Sequence, residues 1–155
     1  MMMELIASAM GTVAFALLFG VPTAYYLTCG AIGAAGWLMY RLMLAVNIGS
    51  TFAVFFATVG IVLLTRFAAV WRKCPATVFL ITGIFPLVPG AKFYWAAYYL
   101  VTNQIAEFQE TGFAAVKIMV AIVLGIIFVF ELPHRLFQLP VRNKEAQKTQ
   151  IKRRG

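Results

Sequence analysis

Residues 82–100 read TGIFPLVPGAKFYWAAYYL. Apart from Lys92 the stretch is uncharged and apolar, as a membrane helix would be, yet Pro86, Pro89, Gly90 and Lys92 fall within seven residues. Proline has no N–H, and its ring clashes with the carbonyl four residues upstream, so a regular helix cannot run through this point. Whether the break interrupts a span or ends one decides the fold, and the surrounding sequence answers it.

The chain has 155 residues, of which 63% are hydrophobic and 12% charged, with no aspartate. A soluble domain could not cover its surface with so few charges. Residues 5–40, 42–65, 74–91, 93–106 and 118–130 carry no charge at all, and a bilayer-spanning helix needs about 20 such residues. As a single helix the first run would be roughly 54 Å long, against a hydrocarbon core of about 30 Å, so it must fold back. Gly20-Val21-Pro22 is the turn, because proline stops one helix and starts the next well. The pattern predicts an all-α integral membrane protein with five transmembrane helices, at about 4–19, 23–40, 48–66, 76–104 and 112–133. The fourth is interrupted at the Pro-x-x-Pro-Gly break. A cleaved signal peptide is the other reading of the start, but MMMELIASAM carries no Lys or Arg ahead of its apolar part.

Arg66, Arg72 and Lys73 lie between the third and fourth spans, and most of the remaining basic residues follow the fifth, in a tail at 138–155. By the positive-inside rule both regions are cytoplasmic and the N-terminus is outside. The net charge of +8 is thus a topology signal. A basic tail placed directly after a span points to solvent or anionic lipid rather than nucleic acid.

Soluble-enzyme signatures are missing. One histidine, His134, and two scattered cysteines, Cys29 and Cys74, do not make a zinc site, so neither a metal nor another cofactor is expected. Gly30, Gly33 and Gly36 recur every three residues in an uncharged run. That is not a dinucleotide fingerprint, and small residues so placed let transmembrane helices pack closely.

Intramembrane polar groups carry the chemical signal. Lys92 sits about 24 Å along a helix from Ala76 and some 16 Å before Asn103, beyond the reach of simple snorkelling. A lysine at that depth costs about 2.5–3.5 kcal/mol and should face a cavity or a partner. Pro86 and Pro89 take the helical donors from the carbonyls of Thr82 and Phe85, and the amides of Gly90, Ala91 and Lys92 open a second half-helix. A helix N-terminus with a lysine attracts carboxylates. Thr82, Phe85, Pro86, Pro89, Gly90, Ala91 and Lys92 are therefore the candidate substrate site, built as interrupted helices build sites in secondary transporters. Arg41, at the end of the second span, and Glu131, near the cytoplasmic end of the fifth, are candidate accessory groups.

Two segments, FGVPTAYYLTCGAIGAAGWLMYRL at 19–42 and CPATVFLITGIFPLVPGAKFY at 74–94, resemble the small membrane subunit of the threonine/serine exporter (ThrE-like) family. The resemblance runs to about residue 137, and its most specific element is the break formed by Pro86, Pro89 and Gly90; Lys92 is not part of that motif. It implies a bacterial inner-membrane exporter, driven by an ion gradient, for threonine and serine or for dicarboxylates such as succinate. In that family the module is the C-terminal half of a longer protein or a short chain beside a larger subunit, so a larger partner or a homo-oligomer is expected. A non-transporting scaffold or assembly subunit is the alternative.

Overall fold

The computed structural model describes residues 2–131. Among these, six α-helices follow one another: α1 (Met2–Leu18), α2 (Tyr26–Ala45), α3 (Ser50–Arg72), α4 (Ala76–Ile84), α5 (Gly90–Val101) and α6 (Ile105–Phe130). The basic tail at 138–155, His134 and the last two residues of the predicted fifth span lie outside the described residues.

The turns are set by local chemistry. Gly20, Asn47, Lys73 and Asn103 all have φ between 54° and 67°, the left-handed conformation that closes a helix. In each case the next amide reaches back five residues: Val21 to Ala16 at 3.0 Å, Ile48 to Met43 at 3.2 Å, Cys74 to Ala69 at 3.1 Å and Gln104 to Tyr99 at 2.8 Å. Pro22 and Pro75 follow two of these caps, where a helix cannot resume at once.

Helices α1 and α2 lie antiparallel. Glu4 at the start of α1 pairs with Arg41 at 3.2 Å and accepts a hydrogen bond from Trp37 Nε1 at 3.3 Å. One to two turns further on, Ser8 Oγ donates to the Gly33 carbonyl at 3.0 Å. Small residues make this approach possible. A Cβ on Gly30 would meet Val13 of α1, one on Gly33 would collide with Thr12 of α1, and one on Gly36 would collide with Ile61 of α3. In the core, Thr12, Thr58 and Thr82 each return their hydroxyl to the carbonyl four residues upstream, at 2.8, 2.8 and 3.2 Å. This satisfies a buried donor where water is absent.

Helices α3 and α6 run parallel. Residues 51–56 face 116–124, Thr58 abuts Gly125, and Arg66 reaches Phe130. The order of these contacts fixes the path between them: α4 starts where α3 ends, α6 starts at the opposite end of the bundle, and α4 with α5 must cross between the two. The pair is bent by 54° at the break. A re-entrant loop would have returned the chain to the end it left and made α6 antiparallel to α3.

By length and hydropathy, the continuous stretches Thr23–Ala45, Ser50–Arg72 and Ile105–Phe130 can cross a membrane, as can the bent pair taken together. Helix α1 is apolar but has 17 residues, the lower end of the spanning range. Large apolar side chains face outward, Leu27 at 83% exposure and Phe67 at 58% among them, which suits lipid rather than water.

Several predicted boundaries move. α2 continues past Arg41 to Ala45, and α3 past Arg66 to Arg72, because a positive side chain does not stop a helix whose backbone is otherwise satisfied. α6 begins at Ile105 rather than near 112. Glu107 and Glu110, read from sequence as a connection, lie in its first two turns, and the first-turn Glu107 suits the positive end of a helix dipole.

Candidate functional site

The break is built from the inside outward. Helix α4 packs on α3, α2 and α1, whereas α5 packs chiefly against α6. A 3-10 turn, Phe85–Leu87, carries the chain from one environment to the other. Thr82 is fully buried and Leu87 is 5% exposed. The Phe85 ring stacks on Phe15 at 3.4 Å between centroids and lies 6.1 Å from Phe19, both of the chain entering the first turn. Gly90, Ala91 and Lys92 are exposed.

Hydrogen bonding corrects part of the expectation. The Phe85 carbonyl is not free: the Val88 amide donates to it at 3.1 Å, because a tightening to 3-10 geometry supplies an i+3 donor where Pro89 removes the i+4 one. Pro89 sits at φ −79°, ψ 55°, an inverse γ-turn, and the Gly90 amide accordingly donates to the Val88 carbonyl at 2.8 Å. The first α-helical bond of α5 runs from the Phe93 amide to the Pro89 carbonyl at 3.1 Å. The amides of Ala91 and Lys92 precede it, with no side-chain cap on Pro89. The donor set at this helix start is therefore two amides and the Lys92 ammonium. The Thr82 hydroxyl is turned back on its own helix, toward the carbonyls of Val78 and Phe79.

No hydrogen bond or ion pair holds Lys92 among the described residues. It sits in the first turn of α5, part-way between the two ends of the bundle, on a surface that the described residues leave open. A Cβ added at Gly90 would meet nothing within 4 Å. An uncovered ammonium at this depth is costly in lipid, and it is the feature of the break most in need of a polar neighbour.

The accessory candidates lie elsewhere. Arg41 is held by Glu4 at the end of the α1–α2 pair, and Glu131 caps α6 at the other end of the bundle, exposed. Neither lies at the break, and the structure brings neither to Lys92. Gly30, Gly33 and Gly36 sit inside the α1–α2–α3 packing.

Sequence reasoning missed Arg66. Counted at the end of the third span with the basic residues that follow it, it is instead 4% exposed well inside α3. Its guanidinium lies 4.9 Å from the centre of the Phe130 ring, and Nη2 donates to the Phe130 carbonyl at 3.4 Å. No local signal marked it: Arg66 follows the buried Thr65, but Arg72, seven residues beyond Thr65 on the same helix, is exposed.

Comparison with known proteins adds a family. The sequence model described as threonine/serine exporter, ThrE, matches residues 4–131. An uncharacterized protein of Haemophilus influenzae is 31% identical over 149 residues, covering 89% of this chain and 48% of that protein. The chain thus spans about half the length of this curated relative. No solved structure matches.

Proposed function

The chain belongs to the threonine/serine exporter family, and from that membership we propose that it is the membrane subunit of a secondary exporter for small carboxylate-bearing metabolites, with its substrate site at residues 82–92. Threonine and serine are the first substrates to test and dicarboxylates such as succinate the second, since all present the carboxylate that the start of α5 suits. The observation that carries the reading is the bent α4–α5 pair, where an uncapped helix start and a lysine with no partner among the described residues come together, as a midplane anion site would need.

The arrangement we propose has five crossings, α1, α2, α3, the α4–α5 pair and α6, in a bacterial inner membrane. Its N-terminus is outside, and the end bearing Arg66, Arg72 and Lys73 is cytoplasmic. The parallel course of α3 and α6 supports it, because it puts the basic residues at 66–73 and the end of α6 at one end. A larger partner subunit, or a second copy, covers the α5 face. Two facts support that part: Lys92 is exposed among the described residues, and the relative carries about as much chain again beyond the matched half.

Efflux from cells expressing the chain with its partner tests the site. Lys92→Ala and Gly90→Leu should each reduce export at unchanged protein level; normal export in both removes the assignment. A scaffold role is the second reading, favoured by the same outward exposure of residues 90–92, which suits an interface as well as a ligand. Co-purification with the partner, with metabolite export intact after deletion of this chain, would establish it.

A further inference from the structure

A groove of about 490 Å³ runs between α3 and α6 at the end of the bundle where α3 starts. Phe52, Phe55 and Phe56 line one side and Val120 and Leu124 the other, with Thr51 and Lys117 at its mouth. Because α3 and α6 are parallel, Lys117 is level with Thr51 in the first turn of α3. Past these two residues the lining is wholly apolar, and it continues to Leu124, about 10 Å further along α6. Lys117 is exposed, and no hydrogen bond or ion pair holds it among the described residues.

We propose that this groove holds an acyl chain of an anionic phospholipid whose phosphate pairs with Lys117. A cation where a span begins, followed by two turns of apolar wall leading inward, matches the order of groups in a lipid: phosphate first, hydrocarbon after. Basic residues near the ends of spans meet anionic headgroups, and the lysine stem can lie along the groove while its ammonium reaches the headgroup level. The Thr51 hydroxyl, at the same level, can donate to a second phosphate oxygen.

Charge argues against two protein occupants. The chain beyond residue 131 leaves from the far end of α6 and is basic, so it does not complement Lys117. A second copy lying the same way in the membrane brings its own Lys117 to this depth. On its α6, Glu110 and Glu107 stand about 10 and 15 Å nearer the helix start, and its Glu4 is taken by Arg41. The groove requires only that the helices span a membrane, and it is independent of the substrate assignment at residues 82–92.

Two measurements on the full chain test this. In cells, Phe56→benzoylphenylalanine puts a photoreactive ring at a groove position that is 48% exposed. After illumination the purified protein should have gained the mass of one phospholipid; an adduct of protein size, whether a partner or a second copy, would overturn the proposal. In neutral detergent, native mass spectrometry compares retention of phosphatidylglycerol and phosphatidylcholine with the same acyl chains. The wild type should prefer phosphatidylglycerol about fivefold, the weight of one basic residue near an anionic surface. Lys117→Gln should remove that preference and Lys117→Arg should keep it. Val120→Trp, which fills the groove from an exposed position, should lower retention of both lipids. Equal retention of the two lipids by the wild type, or an unchanged preference in Lys117→Gln, would refute the assignment.

Discussion

Replacing Lys92 with methionine separates a ligand-binding lysine from a structural one, because the two roles predict opposite signs for stability and function. The ammonium is exposed in the first turn of α5, with no partner among the described residues. In lipid that placement costs about 2.5–3.5 kcal/mol, so an uncharged chain of similar length should leave the protein as stable as before or more so. The same change removes a charge-assisted hydrogen bond to a substrate carboxylate, worth about 1.5–3 kcal/mol. At 1.4 kcal/mol per decade this is roughly a 10- to 150-fold weaker half-saturating concentration. The assay is efflux of preloaded threonine, serine or succinate from cells expressing the chain with its partner, alongside thermal unfolding of the purified variant. Weaker transport with equal or higher unfolding temperature is the expected pair of results, and Lys92→Arg should recover part of the loss. Unchanged efflux, or loss of efflux together with loss of stability, would refute the argument.

Other outcomes follow from the same geometry. Gly90→Leu has room for its side chain in this chain, where a Cβ meets nothing within 4 Å; it should therefore block export without lowering the unfolding temperature, and a cooperative loss of both would place the effect in folding. Gly33→Leu drives a side chain into Thr12, and overpacking of this kind costs at least about 1–3 kcal/mol, so the α1–α2 pair should loosen and the unfolding temperature fall by several degrees. Arg41→Gln breaks a pair whose partners are 42% and 40% exposed; such pairs contribute about 0–1 kcal/mol, and both stability and efflux should stay near wild type. For topology, a cysteine placed at Asn103 should react with an impermeant maleimide in intact cells, while Cys74 at the opposite end should react only after permeabilisation. The reverse pattern would invert the proposed orientation.

The breaks were legible because single residues dictate them. Gly20 with Pro22 marks one of the four left-handed caps, and the Pro86–Gly90 break could be read from the donors that proline lacks. Charge was a poorer guide to helix ends. Arg66 was taken as the last residue of its span and Arg72 as lying beyond it, yet α3 runs on to Arg72, with Arg66 buried against Phe130. Nothing local distinguishes a buried arginine from a loop arginine; the difference is made by α6, whose C-terminal carbonyl and ring arrive from 64 residues away. The same limit applied at the break. Sequence counts which donors proline removes, but only the backbone path shows that the Val88 and Gly90 amides fold onto the nearest carbonyls, leaving a smaller donor set at α5 than a straight count suggests.

The two halves of the broken helix are held very unequally, and this bears on how the site would work. The inner half is fixed: Thr82 and Phe79 are fully buried, Gly83 lies against Ile32 and Ile61, and Phe85 is stacked on Phe15. The outer half packs chiefly on α6 and presents Phe93, Tyr94, Trp95 and Tyr98 outward at 42–65% exposure. Between them stands one 3-10 turn and one γ-turn, with few bonds to resist a change of angle. In the proposed exporter, a partner that covers α5 would meet the half held by fewer elements of this chain, while the half that anchors the break stays with α1, α2 and α3. Alternating exposure of a midplane site calls for such a division between elements.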